Sequence, residues 1–250
     1  MEKYLCPRVA NPLVLDGFIT DPAWMDVPWT NDFQDITGDP ALKPRFRTRA
    51  KMAWDDRYFY VAAEMEEPHV WGTITEQNEI MFNDNDFEVF IDPDGDSRNY
   101  YEYEMNALGT IWELSLPVPY SEGGKPVLGC NLDGLVRKVG VRGKLNDLST
   151  SDDGWSVEIA FPWSGLAKYN PGRATPPEPG DMWKVNFSRV QWRHEVVDGK
   201  YVRIPPHGTD LCNGLNPEDQ QHPEDNWVWS PQGAVNMHIP KHWGEVVFQP

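Results

Sequence analysis

The chain has 250 residues, of which 40% are hydrophobic, and it carries a formal net charge of −17 at pH 7. Such a charge repels nucleic acids and anionic membranes, so the expected partners are neutral molecules, cations or metal ions. No stretch reaches the roughly 18 apolar residues of a membrane span, and the length is compatible with a single all-β domain over residues 1–250.

The cysteines and the first residues bear on the cellular compartment. Cys6, Cys130 and Cys212 are odd in number and lack metal-type spacing, which predicts free thiols rather than a disulfide framework. Residues 1–17 lack a basic segment followed by an apolar run, so they do not form a signal peptide. The sequence therefore predicts a cytoplasmic protein as written, or a secreted one whose leader has been removed.

The first half of the chain predicts two hairpins joined by a long connection. Asp21 and Pro22 favour one helical turn, and residues 45–54 and 57–65 alternate like strands. After the connection, residues 86–92 and 100–108 form a second strand pair around an Asp- and Gly-rich turn. The polar faces of these two strands carry Asp86, Glu88, Asp92, Glu102, Glu104 and Asn106.

The second half adds further short strands separated by long loops. Strand-like patterns occur in residues 135–144, 155–161, 182–192 and 243–248. Loops rich in Pro and Gly separate them, and a 3.6-residue periodicity is almost absent. We therefore expect an all-β fold, an antiparallel β-sandwich of the immunoglobulin or jelly-roll type with long loops.

Two tryptophans near the end of the chain are candidates for stacking on a sugar. Trp227 and Trp229 are two residues apart, so in an extended segment both indoles point to the same side. The C–H face of a sugar packs on an indole, while its hydroxyls need carboxylate and amide partners such as Glu88, Glu104 and Asn106. The alternative is that both indoles anchor a long loop to the core.

The paired carboxylates of the second hairpin need compensation. Glu88 and Glu104 lie on matching faces if the turn pairs them in register, and two adjacent carboxylates are costly without water or a cation. Arg189 and Lys184 are the candidate cations. Arg189 either extends the binding face or forms a salt bridge with Glu88 or Glu104, and a solvated sheet face is the alternative for the whole group.

The turn of the second hairpin is a candidate calcium site. Asp92, Asp94 and Asp96 alternate as in a calcium loop, although Ser97 and Tyr103 stand where an EF-hand needs Gly and Glu. The alternative is a hydrated hairpin tip. A zinc site is not predicted, because Pro240 interrupts the one pair of histidines at helical spacing, His238 and His242.

Seven segments in order resemble the family 9 carbohydrate-binding modules and their relatives. They are DGFITDPAW (16–24), KMAWDDRYFYVAAEM (51–65), NDFEVFIDPDGD (85–96), YYEYEMNA (100–107), WSVEIAFPW (155–163), VNFSRV (185–190) and WGEVVF (243–248). The resemblance implies a β-sandwich without catalytic activity, often with structural calcium. It also implies binding of the reducing end of a glucan or xylan chain between two tryptophan rings.

The resemblance also assigns roles to individual residues. Glu88 matches a sugar-binding glutamate, and Asn106 matches a sugar-binding amide. The family's sugar-binding arginine is replaced by Glu104. One stacking tryptophan falls near Phe82, and the other is Trp229 or Trp227.

These observations predict a non-catalytic protein that binds an oligo- or polysaccharide, alone or beside a glycoside hydrolase. Trp227, Trp229 and Phe82 would supply the stacking surface. The alternative from another class is a glycan-active hydrolase that uses Glu88 and Glu104 as its two carboxylates. A third hypothesis is a haem-binding sandwich with Met81 and His69 as ligands.

Overall fold

The computed structural model describes residues 1–204 and 224–250, so Cys212 lies outside the described residues. The strands are β1 (Lys3–Cys6), β2 (Gln34–Asp35), β3 (Thr48–Trp54), β4 (Tyr58–Met65), β5 (Asp86–Asp92), β6 (Tyr100–Asn106), β7 (Ile111–Leu116), β8 (Val127–Leu128), β9 (Val136–Arg142), β10 (Gly154–Pro162), β11 (Met182–Gln191), β12 (His194–Val197), β13 (Lys200–Arg203), β14 (Asp225–Val228) and β15 (Gly244–Phe248). One short helix, α1, spans Trp163–Leu166. Single 3-10 turns occupy Pro22–Asp26, Met81–Asn83, Tyr120–Glu122, Ala167–Tyr169 and Pro240–His242.

Two sheets form the sandwich. The large sheet has the order β1-β15-β11-β5-β6-β7-β8, with β14 paired to β11 and β2 paired to β14, and the small sheet has the order β3-β4-β10-β9. Strands β12 and β13 form a separate hairpin. All pairings between named strands are antiparallel except that of β1 with β15, which is parallel and joins the first strand to the last. The predicted β-sandwich is thus confirmed.

The main core lies between the two sheets. Strand β5 contributes Phe87, Val89 and Ile91 from its inner face, and β10 of the small sheet contributes Val157 and Ile159. Each of these side chains is fully buried. Burial of apolar side chains at alternate positions is the main source of stability in a sandwich of this kind.

The outer face of the large sheet is also covered. Phe90, Trp112 and Trp243 on this face pack with Met81 and Met237, which come from the long connections after β4 and after β14. The sheet is therefore buried on both sides. None of the helices in residues 1–204 and 224–250 is long and apolar enough to cross a membrane.

The predicted strands agree with the structure to within a few residues, and the helical turn predicted after Asp21 forms as a 3-10 turn. Its cap is the Asp21 side chain, which accepts a hydrogen bond from the Ala23 amide at 2.9 Å. The sequence pattern did not predict the strands β1, β2, β7, β8, β12 and β13. Strand β7 was missed because both of its faces are buried, so its polar and apolar residues do not alternate clearly.

Candidate functional site

Four acidic side chains lie together on the outer face of the large sheet. Glu88 of β5 pairs directly with Glu104 of β6, Asp86 pairs with Asn106, and Glu102 is opposite Phe90. Because side chains alternate along a strand, Asp86, Glu88, Glu102 and Glu104 all project from the same side. We call these four residues the acidic face. One carboxylate oxygen each from Asp86, Glu88 and Glu104 lies within 4.8 Å of the other two.

The acidic face is buried, and burial controls its protonation. Loss of water and the neighbouring charge of Glu102 raise the pKa of Glu88 to about 8. Burial raises the pKa of Glu102 to about 7. Burial, followed by the charge of Glu88, raises the pKa of Asp86 and of Glu104 well above the ordinary range. Near neutral pH the four groups therefore retain protons that free carboxylates lose.

Several polar atoms of this face have no hydrogen-bond partner. Within residues 1–204 and 224–250, partners are lacking for both carboxylate oxygens of Asp86, for Oε2 of Glu102 and Glu104, and for the indole Nε1 of Trp112. Trp112 belongs to the same face because it pairs with Glu104 from strand β7. Buried polar groups are nearly always satisfied in native proteins, so such a concentration indicates a place for a bound partner.

Aromatic rings border the acidic face. The Phe82 ring centroid lies 6.0 Å from that of Trp112. On the other side, the Tyr120 centroid lies 4.5 Å from that of His238, whose Nε2 is 4.0 Å from Glu102 Oε2. The Tyr120 ring is accessible, with 41% of the residue exposed.

His238 is neutral in this setting. Burial lowers its pKa to about 4, so its contact with Glu102 is not an ion pair near neutral pH. The Tyr100 hydroxyl lies 3.1 Å from His238 Nδ1 and fixes the ring. The face therefore lacks a compensating positive charge from this histidine.

Trp227 and Trp229 do not lie at this site, and the prediction that they form an exposed stacking surface is wrong. Only 2% of Trp227 and 1% of Trp229 is exposed, and both pack in the main core. The two rings do point to the same side, as expected. That side is the inner one, because Trp227 pairs with Arg189, and Arg189 pairs with the core residue Phe87.

Asn106 lies on the predicted face but has no free hydrogen-bonding capacity. Its amide donates to the Ile74 carbonyl at 2.9 Å and to Asp84 Oδ2 at 3.0 Å. Its side-chain oxygen accepts from the amides of Leu108 and Thr110, each at 3.1 Å. All of its donors and lone pairs are thus used, so Asn106 positions the connection before β5 instead of offering groups to a ligand.

Arg189 points away from the acidic face, so the predicted roles in binding and in pairing with Glu88 or Glu104 are both wrong. Its guanidinium lies inside the sandwich, 3.2 Å from Glu67 Oε2, and it donates to Thr48 Oγ1 at 2.9 Å. Lys184 is also engaged elsewhere, with its Nζ 3.5 Å from Glu245. In the described part of the chain no lysine or arginine forms an ion pair with the acidic face.

The predicted calcium turn brings its three aspartates together. One oxygen each from Asp92, Asp94 and Asp96 lies within 4.8 Å of the others. The buried Asp92 already accepts hydrogen bonds from the amides of Gly95 at 3.1 Å and Ser97 at 2.9 Å. Burial raises the pKa of Asp92 to about 7. The donor set is all oxygen, as Ca²⁺ requires, although part of its capacity stabilises the turn.

A match to a family model shows the protein family of the chain. The family model described as "Carbohydrate family 9 binding domain-like" matches residues 15–176, which is more than half of the chain. The chain belongs to this family. The resemblance recognised from the seven segments is thus confirmed.

Solved structures share the fold of this family 9 chain. A Bacteroides uniformis protein, provisionally described as carbohydrate-binding, superposes with a TM-score of 0.65 at 16% identity, covering 99% of each chain. Two structures of a family 9 carbohydrate-binding module from Caldicellulosiruptor kristjanssonii have a TM-score of 0.57. The cellotriose complex is 16% identical and covers 99% of this chain and 94% of the module. The glucose complex is 17% identical and covers 100% of this chain and 96% of the module.

A curated protein matches the family 9 chain over a short segment of its own length. The exoglucanase XynX of Acetivibrio thermocellus is 26% identical over 121 residues, which is 48% of this chain. The match spans only 9% of the enzyme's length.

Several residues of the site were not selected from the sequence. Asp86 and Glu102 had a signal, because they alternate with apolar residues in β5 and β6. Trp112, Tyr120 and His238 had none, since they come from a strand buried on both faces and from two loops. Phe82 was selected and does border the acidic face, where its carbonyl also accepts a hydrogen bond from Trp192 Nε1 at 2.8 Å.

Proposed function

We propose that the chain is a non-catalytic carbohydrate-binding protein and that it binds its glycan at the acidic face. The carboxyl groups of Glu88, Glu102 and Glu104 would accept hydrogen bonds from sugar hydroxyls and donate hydrogen bonds to them. The observation that carries this assignment is the set of unpartnered buried polar atoms on this face. Membership in the family supports the class of ligand, and the neighbours' complexes with glucose and cellotriose suggest the first sugars to test.

The protonation of the face suits uncharged polyhydroxy ligands. A protonated carboxyl group donates one hydrogen bond and accepts others, and a carboxylate only accepts. A face with raised pKa values holds both forms near neutral pH, so it can pair with a hydroxyl in either direction. The indole Nε1 of Trp112 adds a fixed donor beside Glu104.

The stacking surface in this proposal differs from the one expected from the sequence. Phe82 and Trp112 lie on one side of the acidic face, and Tyr120 lies on the other. Rings of this kind pack against the C–H faces of sugars. Tyr120 is the most accessible of the three and is therefore the natural first contact.

Calorimetric titration with a glycan panel that includes glucose, cellotriose and xylan oligosaccharides tests the assignment. We expect at least one ligand to bind, and Tyr120→Ala and Trp112→Phe to weaken it by roughly 10-fold each, because one stacking contact or one hydrogen bond is lost. Trp29→Ala is the matched control, since Trp29 lies against Arg49 and Lys51 of the small sheet. No binding across the panel, or equal loss with the control, would contradict the proposal.

The same samples distinguish binding from hydrolysis. A hydrolase that used Glu88 and Glu104 would release new reducing ends from the bound glycan. We expect none at high protein concentration over a day. Release that Glu104→Gln abolishes would favour the enzymatic alternative.

We further propose that the chain acts beside glycoside hydrolases in polysaccharide breakdown. The support is the match to a short part of an exoglucanase. A fusion of this chain to a glucanase should increase product release from insoluble substrate but not from a soluble oligosaccharide. Equal effects on both substrates would count against this role.

For the hairpin tip, we propose a structural Ca²⁺ held by Asp92, Asp94 and Asp96. It is supported by the proximity of the three carboxylate oxygens and by the structural calcium that the family resemblance implies. Calcium should raise the melting temperature of EDTA-treated protein. In the double variant Asp94→Asn/Asp96→Asn, this increase should be smaller, because calcium no longer binds at the tip. An unchanged gain in this variant would refute the tip site.

A further inference from the structure

Three carboxylates of the acidic face bring their oxygens close together. Asp86 and Glu88 come from β5 and Glu104 from β6, and one oxygen of each lies within 4.8 Å of the other two. Calcium binds oxygens at about 2.3–2.6 Å, so two ligands on opposite sides of one ion are separated by up to about 5 Å. Three oxygens at most 4.8 Å apart all lie within about 2.8 Å of a common point, so small rotations of the side chains bring them into contact with a single ion.

Among the described residues, no lysine or arginine forms an ion pair with this triad, and the nearby His238 is neutral. Asp86 is fully buried and neither of its oxygens has a partner among the described residues. Glu102 contacts Glu104 and adds a further unpartnered oxygen, Oε2, from outside the triad. Burial of ionised carboxylates is costly unless they are paired or coordinate a metal.

We propose that Asp86, Glu88 and Glu104 bind one divalent cation, Ca²⁺, and that this ion coordinates hydroxyl groups of the glycan. The second part rests on the proposed function of the acidic face. Calcium is favoured over zinc because the donors are all carboxylate oxygens with no histidine or cysteine in the set. Three carboxylates also leave part of a shell of six to eight ligands open, and adjacent sugar hydroxyls can fill it.

This cation site is separate from the hairpin tip, which serves as its matched control. Both groups contain three acidic side chains from the β5–β6 hairpin and lie at opposite ends of β5. At the tip, Asp92 accepts two backbone hydrogen bonds and Asp94 and Asp96 reach solvent. Removal of charge at the tip should therefore leave calcium binding at the acidic face unchanged.

Titration of the EDTA-treated protein with calcium chloride alone tests the first part. We expect Glu104→Gln and Asp86→Asn each to remove one binding event or weaken it at least about 10-fold, because a carboxylate ligand is lost. Asp94→Asn/Asp96→Asn should retain that event. Glu88→Gln provides a third variant of the triad if circular dichroism shows that either buried substitution prevents folding. Calcium binding unaffected by all three triad variants, or abolished by the tip variant, would overturn the proposal.

Glycan titration with and without calcium tests the second part. We expect a ligand from the panel to bind in calcium chloride and to lose at least about 10-fold in affinity in EDTA. Equal binding in both conditions would overturn the bridging role and leave the proposed function intact. If calcium binds at the triad but no glycan binds in either condition, the proposed function and the bridging role are both refuted. The cation site itself then stands. Tight binding of an amino sugar in EDTA, together with no calcium binding that depends on the triad, would identify an ammonium group as the occupant and overturn the proposed calcium site.

Discussion

The two faces of the large sheet are built from the same strands but solve different problems. On the inner face of β5, Phe87, Val89 and Ile91 pack with apolar side chains of the opposite sheet and carry no polar side-chain atoms that need a partner. On the outer face, one residue along, Asp86 and Glu88 are equally buried among other acids. The inner face is optimised for packing, whereas the outer face carries an electrostatic cost that is relieved by protonation of the acids or by a bound partner.

The largest expected effect is on the inner face. Trp229→Ala should reduce the free energy of unfolding by about 3–5 kcal/mol, because it leaves a large cavity between the sheets. The ring lies so close to Gly244 that a Cβ there would collide with it. Urea denaturation measures the loss, and Trp29→Ala is the control with a much smaller effect. A stable variant that cannot bind glycan would restore Trp229 as a binding residue.

The second prediction concerns the outer face and pH. The pKa of Glu88 is about 8 and that of Glu102 about 7 in the folded protein, against about 4.3 for an unperturbed glutamate. Between these values the folded state binds more protons than the unfolded state, so stability is greatest at the acidic end of the window and falls as pH rises. In EDTA, we expect the titration of these two groups to cost roughly 2–4 kcal/mol of stability between pH 6 and pH 7.5. Constant or increasing stability over this range would contradict the assigned burial.

A third prediction removes one charge from the outer face. Glu104→Gln should stabilise the protein in EDTA at pH 8 by roughly 1–3 kcal/mol, because glutamine removes the cost of either protonating this buried carboxyl group or burying its charge. The gain should be near zero at pH 5. Glu64→Gln is the matched control on β4, where Glu64 lies 2.6 Å from Arg49, and it should slightly destabilise. Denaturation curves of the wild type and the two variants measure the free energies of unfolding. Destabilisation by Glu104→Gln would indicate a partner that compensates this charge.

The smallest expected effect is at the hairpin tip. Asp94→Asn in EDTA should change stability by less than about 0.5 kcal/mol, since this side chain is partly solvated and makes one long contact with the Asp96 amide, at 3.4 Å. Thermal melting measures the difference. A large loss would show that the tip contributes to folding without any metal.

The contrast between the faces also explains what the sequence could predict. Alternation in β3, β4, β5 and β6 gave their position and pairing, because each has apolar residues at every second position. It could not give the side on which Trp227 and Trp229 lie, since Val228 between them is also buried, on the outer face. With both sides covered, the pattern of hydrophobicity does not distinguish core from cover.

Contacts between residues far apart in the chain could not be predicted either, because they leave no local pattern in the sequence. Arg189 pairs with Glu67, 122 positions away, and no local pattern selects that partner over Glu88 or Glu104. Tyr120 and His238 reach the acidic face from loops whose path depends on the complete fold. The strand residues of the site were thus accessible from the sequence, and its aromatic border was not.

One measurement tests the location of the site most directly. In a titration of ¹⁵N-labelled protein with cellotriose, or with the best ligand of the glycan panel, the indole signals of all 12 tryptophans can be followed together. If the glycan binds at the acidic face, the Trp112 signal moves at substoichiometric ligand while those of Trp227 and Trp229 stay in place. Shifts confined to Trp227 and Trp229, with Trp112 unchanged, would contradict this location.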